Sequence, residues 1–165
     1  MNPLPLLFFV IATSAVIQPF ANDSPHGAYF AAKFDGTGVI GEVSFKGMKD
    51  GSIEINVDLE GFPRIGGPFM YHVHEAPVPT DGNCTGAKAH FNPFGGNLSA
   101  TNPEELEIGD LSGRYGLLQG DSCLAYIDHY LSLNSQSKAF IGGLSVVVHI
   151  YDNTRIACAN ITQCS

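Results

Sequence analysis

Ile53, Ile55, Val57 and Leu59 alternate with Glu54, Asn56, Asp58 and Glu60. A period of two gives an extended strand one apolar and one polar face, and no helix is built that way. The apolar face must be covered by another layer of the same domain. Residues 28–34 and 38–45 are also rich in Val, Ile, Phe and Tyr, and strand character returns at 144–151 and 155–161. Asp35-Gly36-Thr37-Gly38 and Lys49-Asp50-Gly51 punctuate the early strands. Nineteen Gly and ten Pro fit short strands and many turns. These patterns predict an all-β domain of antiparallel strands, a sandwich or a barrel. Only residues 126–134 read as a short helical turn. Residues 77–109 carry Pro77, Pro79, Pro93, Pro103, Gly82, Gly86, Gly95 and Gly96 and read as one long loop. A loop that long inside a compact domain is usually functional. No internal repeat or domain boundary is visible.

The N-terminal segment has a different purpose. Residues 3–21 contain no charged side chain, and the apolar run from Leu4 to Ile17 is short for a bilayer span. It reads as a secretory signal peptide over residues 1–21, cut after Ala15 or after Ala21, with the domain occupying 22–165. No second apolar run follows, and residues 157–165 are too polar for a lipid-anchor signal. The expected product is extracellular, with no transmembrane segment. In that oxidising setting the four cysteines, Cys84, Cys123, Cys158 and Cys164, read as disulfides, and spacing leaves all three pairings open. Sequons at Asn83, Asn97 and Asn160 fit an exported glycoprotein, and Asn22 sits in a fourth beside the cleavage point. Eight basic against sixteen acidic residues give a net charge of −8, which argues against a nucleic-acid partner.

The chemistry lies in the histidines. His72 and His74 flank Val73, so on a strand both imidazoles face the same way, about 7 Å apart. His149 ends the apolar run Val146-Val147-Val148, where a buried ring needs partners for its nitrogens. His90 enters the long loop in Ala89-His90-Phe91-Asn92-Pro93. A lone core histidine is usually just hydrogen-bonded, but four in such settings favour a metal site. Imidazole-only ligation suits copper or zinc. His26 and His129 read as surface residues.

Taken in order, the motifs resemble a known family. Tyr71-His72-Val73-His74-Glu75, Asn83-Cys84-Thr85, Ala89-His90-Phe91-Asn92-Pro93, Ile108-Gly109-Asp110-Leu111, Gly143 to His149 and Arg155-Ile156-Ala157-Cys158 follow one another. The set is similar to the copper/zinc superoxide dismutases, and more closely to their fungal copper-only extracellular members. The resemblance implies a Greek-key β-barrel or sandwich of about eight antiparallel strands with long functional loops. It implies copper ligation by His72, His74, His90 and His149, a Cys84–Cys158 disulfide, and Arg155 as the cation that guides superoxide. It also places Asp110 at the zinc-site aspartate and leaves Cys123 and Cys164 as the second pair.

Two departures from the two-metal pattern are visible. Residues 91–109 contain no histidine, and Glu107 stands where the family has one. The expectation is therefore one copper per chain and no catalytic zinc, with Glu107 holding His90 in place of the second metal. His90, Glu107 and Asp110 remain a conceivable weak metal set. Only Ile150 to Thr154 separate His149 from Arg155, where the two-metal enzymes carry a long charged loop. That leaves the copper more open, and removes features that could support a dimer, so a monomer is expected. The rival reading is a non-enzymatic copper-binding or copper-buffering protein on the same fold.

Overall fold

The computed structural model describes residues 16–164. The expected signal segment lies outside them over residues 1–15. Residues 16–21 lie against the domain: the Gln18 and Ala21 N–H groups donate to the carbonyls of Glu104 and His129, both at 2.8 Å.

The described residues form seven strands, β1 (Tyr29–Phe34), β2 (Ile40–Gly47), β3 (Ile53–Glu60), β4 (Met70–His74), β5 (Ser122–Asp128), β6 (Ser145–His149) and β7 (Arg155–Gln163), with one short helix, α1 (Leu111–Tyr115). That is one strand fewer than the "about eight" expected. They make one antiparallel sheet in the order β4-β6-β7-β1-β2-β3-β5. The two edge strands approach across the interior, where the Tyr71 hydroxyl of β4 donates to that of Tyr126 on β5 at 3.0 Å. The sheet therefore curls over its own core, as a Greek-key barrel does. Ile53, Ile55, Val57 and Leu59 are buried in that core. Glu54 and Asn56 are half-buried, and Asp58 and Glu60 are exposed. The alternation in the sequence is thus the burial pattern of β3.

The helical turn expected at 126–134 is not formed, because β5 runs through Asp128. Its outward residues, Cys123, Ala125 and Ile127, are not polar, so the alternation was hidden. The helix of the domain is α1 instead, with Asp110 as its N-cap: the carboxylate accepts from the Gly113 N–H at 2.7 Å.

The cysteines divide. Cys84 and Cys158 form a disulfide with a Cα–Cα distance of 5.6 Å, tying the long loop to β7. Cys123 and Cys164 are free thiols, which corrects the expected second pair. Cys164 follows β7, its N–H donating to Tyr29 of β1, while Cys123 pairs with Asp58 of β3 on the far side of β2. Four strand spacings separate them, about 15–20 Å on a curled sheet, whereas a disulfide needs Cα atoms within about 7 Å.

Three site-bearing segments are stitched at one point. Val73 N–H donates to Gly109 O, Gly109 N–H to Phe91 O, and Phe91 N–H to Val73 O, each at 2.9 Å. A Cβ at Gly109 would stand 2.5 Å from the Val73 carbonyl oxygen, so only glycine lets these backbones meet.

Candidate metal centre

The stitch brings β4, the His90 loop and the Glu107 loop together at one end of the barrel. His72 and His74 point the same way from β4, as the i, i+2 spacing requires. His149 arrives from β6, paired with Met70. A bulge at Val148/His149 sets His149 opposite Arg155 rather than Ile156, a device that re-aims side chains beside functional sites. His90 forms an isolated bridge with His74. Ligand atoms of the four rings lie within 4.8 Å of one another, and among the described residues they form the one such group of His, Cys, Asp or Glu donors.

The outer nitrogen of each ring is already engaged. His74 Nδ1 donates to Lys88 O and His149 Nδ1 to Asn153 O, both at 3.1 Å. A carbonyl can only accept, so these nitrogens carry the proton and each Nε2 keeps a lone pair. Burial holds both rings neutral: the His74 pKa is pushed down to about 3 and that of His149 to about 4. Their Nε2 atoms nevertheless stand 3.1 Å apart. Two lone pairs at that distance repel unless a cation lies between them. His72 Nε2 is 3.1 Å from Ser112 Oγ and 3.4 Å from Asp110 Oδ1, while its Nδ1 is buried without a partner. His90 Nδ1 is 2.9 Å from Glu107 Oε2, which leaves Nε2 free. Four inward nitrogens, each fixed by an outer hydrogen bond, fit a copper or zinc ion and suit calcium or magnesium poorly.

The acidic residues expected near a second metal are spent on these rings. Asp110 sits on His72; burial would raise its pKa, but the hydrogen bonds from His72 and Gly113 hold it below the usual carboxylate value. Glu107 Oε2 takes His90, and its Oε1 accepts from Asn92 Nδ2 at 3.0 Å. His90, Glu107 and Asp110 therefore do not converge as a set of their own. Arg155 donates from Nη1 to Cys84 O at 2.5 Å and from Nη2 to Lys88 O, the carbonyl that also holds His74. Lys88 aims that carbonyl from a backbone with φ +62°, a sparsely populated region for a residue with a Cβ. His26 and His129 lie outside the group, and His129 Nδ1 meets Asn22 Oδ1 at 3.0 Å.

Sequence reasoning found the four histidines, Glu107, Asp110 and Arg155. It missed Asn92, Ser112 and the carbonyls of Lys88 and Asn153. The carbonyls carry no side-chain signal; Ser112, two residues past Asp110 at a helix start, was the one open to inspection.

Residues 39–161 match the family described as copper/zinc superoxide dismutase (SODC). The chain belongs to the copper/zinc superoxide dismutase family. It is similar to cell surface superoxide dismutase [Cu-Zn] 4 of Candida albicans, 45% identical with 98% of this chain and 72% of the relative covered. Cell surface Cu-only superoxide dismutase 5 of the same organism is 42% identical over 95% of this chain and 72% of its own. The solved structure of C. albicans Superoxide Dismutase 5, Cu(II), superposes with a TM-score of 0.81 at 42% identity, covering 84% of this chain and 94% of that one. The activity of the chain is accordingly superoxide dismutation, and the four-histidine group has the ligand atoms to hold a metal ion.

Proposed function

We propose that this dismutase is an extracellular, copper-only enzyme with one copper per chain and no catalytic zinc. The observation that carries the reading is the contact of His90 with Glu107. The ring nitrogen that would face a second metal is 2.9 Å from a carboxylate oxygen instead. Of two relatives of comparable identity, one is named Cu-only and the other Cu-Zn, so the residues decide more than the names do.

Bound copper would supply one-electron exchange, which zinc lacks, so that two superoxides and two protons become oxygen and hydrogen peroxide. The chain handles the protons and the anion. His72, His74 and His149 are buried and held by fixed outer partners, which makes them the constant part of the site. His90 is half-buried and reachable by solvent, so its Nε2 is the atom that holds and delivers a proton to the reduced product. Glu107 keeps Nδ1 engaged meanwhile and fixes the orientation of the ring. Arg155 has two donors tied to carbonyls, but its charge remains beside the site, where a short-range field attracts superoxide against a net charge of −8. His72 and His90 also line an open cleft of about 430 Å³ with Met70, Leu98 and Leu117, consistent with the short turn after His149.

The test is a superoxide decay assay on protein loaded with copper alone. Full activity without zinc supports the proposal; activity that appears only on adding zinc overturns it. Tight copper binding without turnover would favour the storage role instead. The extracellular site draws support from relatives named as cell surface proteins. The monomer rests on the short 150–154 turn, and sedimentation of the copper-loaded protein checks it.

A further inference from the structure

Glu107 is held against His90, yet the loop that carries it belongs to no strand. Pro103–Glu105 form a single 3-10 turn, and residues 106–109 run on in irregular backbone. What gathers this segment is Arg114, in the last turn of α1. Its Nη1 donates to Pro103 O at 2.6 Å, and its Nη2 to Leu106 O at 2.7 Å and Glu107 O at 3.1 Å. The guanidinium carbon lies 3.9 Å over the centroid of the Tyr130 ring, which fixes the plane of the fork from below. Among the described residues Arg114 makes no ion pair, so its charge is directed at backbone carbonyls and the Tyr130 ring. A planar guanidinium holds these three carbonyls with donors spread over two nitrogens of a rigid fork, whereas the three donors of a lysine share one nitrogen and offer no such fork.

We infer that Arg114 is a positioning residue for the Glu107–His90 contact, acting through the backbone of Glu107. The same helix carries Asp110 and Ser112, both on His72. Three residues of one short helix and its cap, Asp110, Ser112 and Arg114, therefore orient two of the four rings, His72 by side chains and His90 through the Glu107 loop. The inference rests on His90 being a ligand, but the contact it concerns exists in the metal-free chain and is measured there.

The test replaces Arg114 by Met and by Lys. In the metal-free protein, NMR follows solvent exchange of the His90 Nδ1 proton, which the Glu107 carboxylate shields. Arg114→Met should speed that exchange at least tenfold, and Arg114→Lys, which retains a donor but not the fork, should fall between. Val57→Ala, a core substitution in β3 remote from the loop, is the control for lost stability. It should lower the melting temperature and leave the ring proton protected. In the copper-loaded protein, Arg114→Met should lower the dismutation rate about tenfold, with partial recovery in Arg114→Lys. Wild-type exchange in Arg114→Met would overturn the inference. So would equal acceleration in Val57→Ala, which would make the effect one of general stability. Failure of the copper-only reading would change the rates alone and leave the exchange result standing.

Discussion

Replacing Glu107 by Ala removes one acceptor from His90 and leaves the rest of the site in place. Asn92 loses its bond to Glu107 but keeps another, since its Nδ2 also donates to Gly96 O at 2.9 Å. The damage falls on His90 Nδ1. The two side chains are 18% and 15% exposed, so their contact is shielded more than a surface pair. A hydrogen bond to a charged group contributes about 1.5–3 kcal/mol, which as a rate factor is roughly ten- to a hundredfold. The cleft beside the pair, about 350 Å³ and lined by Glu75, His90 and Asn92, admits water that can replace part of the lost acceptor. The expected loss is therefore near the lower end, about tenfold in the dismutation rate. Three other histidines would still hold the metal, so affinity measured by chelator competition should fall less than the rate. Glu107→Gln keeps shape and one acceptor oxygen but not the charge, and should fall between. The assay is pulse-generated superoxide decay at neutral pH, normalised to bound copper. A rate unchanged in Glu107→Ala refutes the role. Parallel losses of rate and affinity would mean that Glu107 shapes the site without acting on proton transfer.

Other outcomes follow from the same geometry. Arg155→Glu reverses a charge beside the site; two charge units at about 5 Å in a water-like dielectric correspond to a bimolecular rate roughly tenfold slower than wild type, and the single unit that separates it from Arg155→Met to one about fourfold slower than that variant, with the salt dependence opposite to wild type. Equal rates in those two variants would show that Arg155 serves only to brace Cys84 and Lys88. The metal-free protein should lose stability in acid through His74 and His149. Their folded pKa values, about 3 and about 4, lie below the ordinary imidazole value of 6.5 because burial disfavours the charged rings. Their contribution is therefore complete above about pH 6.5 and is lost as pH falls toward 4 and 3. Copper loading should flatten that profile, and a flat profile without metal would contradict the neutral, buried rings. Gly109→Ala should destabilise the fold by about 2–4 kcal/mol in denaturant titration, because its Cβ meets a carbonyl 2.5 Å away; a loss below about 0.5 kcal/mol would show that the stitch yields easily.

What the sequence revealed was what side-chain pattern carries. Ile53 to Glu60 announced β3, and His72-Val73-His74 announced two rings on one face. The family resemblance singled out Glu107, and the structure puts its carboxylate 2.9 Å from His90 Nδ1. β5 was missed because its solvent face carries Cys123, Ala125 and Ile127, which erase the polar half of the alternation. The Cys123–Cys164 pair failed because strand order, not sequence distance, decides which cysteines meet: β1, β2 and β3 intervene. The supports of the site were hidden for a third reason. Lys88 O, Asn153 O and the carbonyls under Arg114 are backbone groups, and any residue type supplies them. Their alignment follows from loop geometry, including the positive φ of Lys88, that emerges only when the chain is folded.

The central claim is a lone copper ion on four histidines, with a carboxylate where a second metal would bind. Metal analysis after dialysis of the metal-free protein against equal copper and zinc tests it most directly. One copper and essentially no zinc per chain are expected, with dismutation proportional to copper. One zinc bound beside each copper, and activity that rises with it, would contradict it.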